Sequence, residues 1–392
     1  MKTAAEVKMT DYYENWLNDR QQLRQKVNSY YRTQNHRIAI GNQIIDNWKK
    51  NTGQDTSKEM TDAEVQKAMA KIKKEYRLIT ENIANPIAEL TMKVKEEINK
   101  MYPKFDFRNP IIGLTELMSR GKLKKLIETN KNLAYSPGII YDTHQLIKAD
   151  QFVSDRRYED AFVLEIKEIL PRFKLWDWLN SNKGIGPVMG GVLITRFNPF
   201  TGVYPSSYIC YAGLDVVHFF DPEGNVTKIE GRGKKKGHLV PRTYTNSKGK
   251  VIETTGISHC PFLKSKLIGV LAGSFMMTKN PDYSPIYYNE KVKYLNNPKY
   301  AGTILKKGKE VPKTPLLHIH RMATRKMLKA FIYEYYIHDK RSHGLIEYPP
   351  YEEEKYEVIH NFRKNQFLDA QTIAESKRGR AIGPDDPMEK AA

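Results

Sequence analysis

The sequence predicts a mainly α fold. A long heptad helix precedes a helical domain that carries a tight helical hairpin and a basic loop or small β insertion. Three observations predict this. Apolar residues recur at helical spacing over residues 61–102. A Gly-Ile-Gly-Pro turn at 184–187 sits between two apolar helical stretches. Basic residues and glycines then crowd residues 228–250, where no helical period survives.

The first 50 residues are polar and mixed, with Tyr12, Tyr13, Trp16 and Leu17 followed by Gln21 to Arg32, and read as helix with frayed ends. Thr61 and Glu64 form a T-x-x-E capping box, the signature of a helix start. Val65, Met69, Ile72, Tyr76, Ile79 and Ile83 then recur at spacings of 4, 3, 4, 3 and 4, an a/d stripe with charges between. Pro86 interrupts the stripe, and Ile87, Leu90, Val94, Ile98 and Met101 resume it until Pro103. Such a helix either folds back on its own domain or pairs with a second copy as a coiled coil, which would make the protein a homo-oligomer.

Residues 104–150 lead from a loop into a helix at 115–129. Residues 155–180 are helical, with Pro171 splitting them into two helices and Phe173, Trp176, Trp178 and Leu179 closing the second. Helices return at 261–280 and 314–338, and the residues from about 376 read as a disordered tail. The expected organisation is a helical region at 1–150, a nucleic-acid-binding domain at 151–345 and a C-terminal extension at 346–392.

Charge narrows the function. Lys and Arg number 64 against 45 Asp and Glu, a formal net charge of +19. A chain this basic expects a polyanion: DNA first, with RNA as second candidate. No apolar run is long enough for a membrane span, and the N-terminus lacks a signal-peptide core. With only Cys210 and Cys260, neither a disulfide framework nor a cysteine zinc site is available, and the reading is a cytoplasmic protein without membrane partners.

The chemistry-bearing segments follow. In Gly184-Ile185-Gly186-Pro187 the glycines permit an unusual backbone, and Pro187 fits the first turn of the next helix. Backbone N–H groups at such a helix start are ready-made phosphate donors. Within 228–250, Lys228, Arg232, Lys234, Lys235, Lys236, Arg242, Lys248 and Lys250 stand against one acid, Glu230. Flanking glycines make this tract a phosphate-gripping arm. Lys264, Lys266, Arg321 and Arg325 add cations on the two later helices. His318, His320, His338 and His343 lack the spacing and Cys partners of a metal site, so none is assigned.

The order of these segments carries a resemblance. The Gly-Ile-Gly-Pro hairpin leads to Phe197-Asn198-Pro199-Phe200, a Ser206-Ser207 helix start and Tyr211-Ala212-Gly213-Leu214. A basic loop follows, then Gly256-Ile257-Ser258 to Leu267, Asn280-Pro281 with Tyr287-Tyr288, and the basic helix Ile319 to Leu328. Over residues 180–338 this resembles the C-terminal helix-hairpin-helix domain of insertion-sequence transposases of the IS one-ten family. The resemblance implies DNA binding in transposition or recombination, and a coiled coil upstream. It also implies a nucleophilic serine after Tyr-Ala-Gly-Leu, for which Ser247 and Ser258 are the candidates here, though neither is followed by the family's glycine.

The family's N-terminal RuvC-like domain, with its strand-borne Asp and divalent-metal carboxylates, is not recognisable. Ile38-Ala39-Ile40 is followed by Gly41-Asn42, and Asp46, Asp55, Asp62 and Glu64 stand in polar or helical context. No cofactor is therefore expected, and Mg²⁺ would enter only with an active serine recombinase carrying an unrecognised carboxylate set. An oligomeric scaffold protein of a phage or mobile element is the third reading.

Overall fold

The computed structural model describes residues 4–54, 60–88, 138–141 and 143–348, apart from 224–225, 234–235, 246, 248 and 307–308. It is mainly α, with 67% of the described residues helical and 10% in strands. The expected helix at 115–129, the stripe beyond Ala88 and the C-terminal tail lie outside the described residues. The chain forms two compact units, Gln25–Glu165 on the one hand and Met1–Arg24 with Ile166–Ala392 on the other.

The unit Gln25–Glu165 is built from parts of α1 (Ala4–Asn51), α2 (Asp62–Ala88) and α3 (Thr143–Ile169). The capping box forms as the sequence predicts. Glu64 Oε2 accepts the Thr61 N–H at 2.8 Å, and Thr61 Oγ1 accepts the Glu64 N–H at 3.4 Å. The stripe of α2 then faces the unit's own core. Ala68, Ile72, Tyr76 and Ile79 are buried with Ile40, Ile44 and Ile45 of α1, Ile139 and Ile140, and Leu146, Ala149 and Phe152 of α3. Of the two expectations for the stripe, folding back on its own domain describes residues 65–79. Pro86 lies inside the last described turn of α2 and does not end it.

Three buried carboxylates of this unit, Glu75, Asp150 and Glu159, are paired, as burial requires. The Glu75 carboxylate accepts the Ile139 and Ile140 N–H groups at 2.7 and 2.9 Å. Tyr76 donates to Asp150 at 2.5 Å, and Arg37 binds Glu159 through two nitrogens at 2.5 and 3.3 Å.

The other unit is organised around a 27-residue helix, α10 (Leu316–Ser342). Its Ile319, Ala323, Met327, Phe331 and Tyr335 recur every four residues and are all buried, one face of a helix. A single 3₁₀ turn at Leu170–Arg172, containing Pro171, separates α3 from α4 (Leu175–Ser181), as the proline predicts. Next come α5 (Pro187–Arg196), α6 (Pro205–Tyr211) and α7 (Pro261–Lys266). A π turn at Leu267–Leu271 runs α7 on into α8 (Ala272–Met277), and α9 (Ser284–Asn296) packs on α10. Near the N-terminus, Arg20 donates to the carbonyls of Ile194, Thr195 and Phe197 at 3.3, 2.9 and 3.0 Å. It thereby caps the last turn of α5, whose carbonyls lack intrahelical partners.

Strands fill the stretch that sequence left between loop and β insertion. β1 (Val216–Phe220) pairs antiparallel with β2 (Val226–Gly231), and β3 (Leu239–Thr245) with β4 (Val251–Ile257). A third hairpin, β5 (Thr303–Lys306) with β6 (Lys309–Pro312), precedes α10 and was not expected from the sequence. Among the described residues these three two-stranded sheets stay separate.

Candidate nucleic-acid interface

The hairpin turn forms between α4 and α5. Gly184 has φ of +101°, a conformation that side-chain-bearing residues avoid, and a Cβ there would lie 2.9 Å from Thr278 Oγ1. Ser274 Oγ donates to Gly184 O at 2.7 Å and Asn280 Nδ2 to Lys183 O at 2.7 Å, so α8 and the turn that follows it hold the Gly184 turn from behind. Gly186 is different. It is extended, with φ of −91°, and nothing lies within 4 Å of where its Cβ would be. It starts α5 without a side-chain cap, and Pro187 follows with no N–H to satisfy. The need for glycine in this turn thus belongs to Gly184, while Gly186 leaves the helix start open to close approach. The N-terminal backbone donors of α5 point to that opening.

The second feature is a knot of cations between α6, the β1–β2 hairpin, α7 and α10. The Tyr-Ala-Gly-Leu run supplies its frame. Leu214 N–H donates to Ile209 O at 3.1 Å and Gly213 N–H to Cys210 O at 2.9 Å, a Schellman end to α6. Gly213 has φ of +68°, and a Cβ on it would meet the His259 ring at 2.6 Å and Lys264 Cδ at 3.0 Å. The chain turns there to place Asp215, whose Oδ2 pairs with Arg232 Nε at 2.6 Å. Lys264 Nζ donates to Arg232 O. The Arg325 guanidinium lies against Gly231, where any side chain would displace it.

Burial and like charge both weigh on the cations of this knot, and Asp215 opposes them. Burial lowers the Lys264 ammonium below its usual value, and the neighbouring Arg325 and Arg232 lower it further. Arg325 is lowered by burial and by Arg321. Lys329 is lowered by burial, Lys326 and Arg325, against the raising effect of Asp215. Buried cations held beside other cations in this way are stabilised by an arriving anion. Arg321, Arg325 and Lys329 are spaced four apart on α10, so they share one face of that helix.

The residues expected at the interface therefore divide. Arg232, Lys264, Arg321 and Arg325 come together. Gly184, Ile185, Gly186 and Pro187 stand beside the far end of α7–α8. Lys264 and Ser274 are ten residues apart on that helix, about 15 Å at 1.5 Å per residue. Lys266 and Arg196 both stack on the Phe262 ring, at 5.5 and 4.6 Å from its centroid. Arg242 folds back along its ribbon, donating to Ile257 O at 2.5 Å. Lys236 sits in a short turn (Lys236–His238), closed by His238, which accepts the Gly233 N–H at 2.8 Å and lies 3.1 Å from Glu230. Lys234, Lys235 and Lys248 lie outside the described residues.

Neither candidate nucleophile is activated by a described neighbour. Ser247 lies in the turn between β3 and β4. Ser258 Oγ is buried and has no hydrogen-bond partner, whereas a nucleophilic hydroxyl needs a base within reach. Three of the four histidines are engaged one by one, His320 with Tyr287 at 2.8 Å, His338 stacked on Trp178 at 4.4 Å, and His343 on the Asp339 carbonyl at 2.8 Å, while His318 is exposed. Among the described residues no group of three or more His, Cys, Asp or Glu side chains could hold a metal ion, and no helix is long and apolar enough to cross a membrane.

Two members of the knot escape sequence reasoning. Lys329 continues the four-residue spacing from Arg321 and Arg325, a signal that was present. Asp215 gave none, because only the turn at Gly213 brings it to Arg232. No family model, curated protein or solved structure matches the chain.

Proposed function

We propose that this protein binds the phosphate backbone of nucleic acid, DNA in the first place, through the cation knot at Arg232, Lys264, Arg321, Arg325 and Lys329. The observation that carries the reading is the meeting of Arg232, Lys264 and Arg325 at Gly231–Arg232 beside Asp215, where burial first, and neighbouring cations second, lower Lys264, Arg325 and Lys329. Such clustering costs folding energy, and phosphate relieves it. The open start of α5 adds a second backbone contact of the neutral, N–H-donating kind. The ordered motifs over 180–338 support a role in transposition or recombination beside relatives of the IS one-ten transposases. They suit a cytoplasmic protein that handles DNA there without cleaving it through Ser247 or Ser258. The experiment is fluorescence anisotropy with a labelled duplex at fixed salt. Lys264→Gln with Arg325→Gln should weaken binding of every sequence to a similar degree, because phosphate contacts carry no sequence information. Unchanged affinity in that double variant removes the knot from the interface. A matching RNA duplex in the same titration decides between the two nucleic acids.

A further inference from the structure

Among the described residues, nothing covers either face of the β3–β4 ribbon over most of its length. Pro241, Arg242, Thr243, Tyr244 and Thr245 of β3 and Val251, Glu253, Thr254 and Thr255 of β4 are exposed, Tyr244 to 53% and Val251 to 63%. A bare two-stranded hairpin is marginally stable in water at best, so an occupant that covers it is favoured. The register, Pro241↔Thr255, Thr243↔Glu253 and Thr245↔Val251, puts those six side chains on one face. They are short, and four of them are hydroxyl or carboxylate bearers. Cations stand at both ends: Lys250 at the turn, and the knot at the foot. There His259, just beyond β4, and Lys264 lie against the same glycine, Gly213.

We propose that this ribbon enters the major groove of duplex DNA with the Pro241–Thr255 face toward the base edges. The proposal rests on the backbone-binding reading above and adds the groove to it. Two paired strands are about 5 Å apart, and the major groove, about 12 Å wide, admits them where the minor groove, about 6 Å wide, does not. Seven paired positions span about 20 Å, and the basic foot and turn then flank the groove where phosphates run. Threonine hydroxyls serve either kind of base edge, Val251 suits a thymine methyl, and Glu253 accepts from a cytosine amino group.

The test uses the full chain and one duplex sequence in three forms: plain, with cytosines carrying glucosylated 5-hydroxymethyl groups that fill the major groove, and with netropsin filling the minor groove. Filling the major groove should weaken binding about ten-fold, the worth of one good base-edge contact, while netropsin leaves it within about two-fold. Val251→Glu and Thr255→Glu, each on an exposed position and checked by circular dichroism, should weaken binding to the plain duplex and not to the filled one. Equal affinity for plain and filled duplexes, weakening by netropsin alone, or variants that lose affinity for both forms alike would overturn the proposal. So would a fall from dimer to monomer mass in Val251→Glu without DNA, which would make a second copy the occupant. Salt-dependent binding that ignores groove filling leaves the backbone reading intact and removes only the ribbon. Absence of salt-dependent binding to any duplex removes both.

Discussion

Asp339 on α10 is fully enclosed, and burial raises its carboxyl to about 7, against the lowering effects of the Tyr208 hydrogen bond, Lys340 and Arg20. Tyr208 donates to it at 2.8 Å. Because the folded chain holds this proton more tightly than the unfolded chain, the folded state binds more protons between pH 4 and 7. Stability from this group therefore falls as pH rises through that window and stays lower above it. Asp339→Asn keeps an oxygen for Tyr208 and removes the titration. Its unfolding free energy should exceed the wild type's at pH 8, by on the order of a few kcal/mol, and match it near pH 4. Equal pH profiles for the two proteins would show that the carboxylate is not penalised. At the hairpin the two glycines should behave differently. Gly184→Ala meets Thr278 and a positive φ, and should cost about 2 kcal/mol in urea unfolding. Gly186→Ala meets nothing and should stay within about 0.5 kcal/mol. Both glycines were legible as a turn in the sequence, but which one is indispensable depends on α8 packing behind it, a contact between residues 90 positions apart.

At the scale of the element, α2 shows what patterning encodes. Its start was readable from Thr61 and Glu64, whose capping bonds need only four consecutive residues. Its buried face was readable from the spacing of Ile72, Tyr76 and Ile79. The partner for that face was not, because a/d spacing fits a helix of the same chain as well as one of another. Ile72 is fully buried in the unit's own core, so Ile72→Asp should unfold that core, read as lost helical signal and new protease sites, before it alters any oligomer mass. The polar link is equally demanding. Glu75→Ala leaves the Ile139 and Ile140 N–H groups buried without partners, at a cost of about 3 kcal/mol or more in thermal unfolding. Retention of wild-type stability would mean that this segment is not held by α2. Hairpins were the least legible elements. β3 and β4 hold four threonines among their fourteen residues, and with both faces of the ribbon largely exposed no alternation of apolar and polar residues marks a core side.

Across the whole molecule Lys and Arg exceed Asp and Glu by 19. Among the described residues, cations of the β1–β2 hairpin, α7 and α10 meet at the knot. Within the other unit, Arg37, Lys73, Arg77, Arg156 and Arg157 line a cavity of about 550 Å³. Net charge and the basic helix were visible in the sequence, while the meeting of Arg232, Lys264 and Arg325 needed the turn at Gly213. Of the loop lysines that dominate the basic tract by number, Lys234, Lys235 and Lys248 lie outside the described residues, and Lys264, Arg321 and Arg325 of the knot stand outside that tract in sequence. The central claim is that a phosphate backbone completes the knot. It is tested most directly by the slope of log affinity against log salt for the wild type and for Lys264→Gln with Arg325→Gln. Each phosphate contacted on duplex DNA contributes about −0.9 to that slope. A steep wild-type slope that flattens by about 2 in the double variant, with wild-type folding retained, is the predicted result. A wild-type affinity indifferent to salt, or an unchanged slope in the variant, would contradict it.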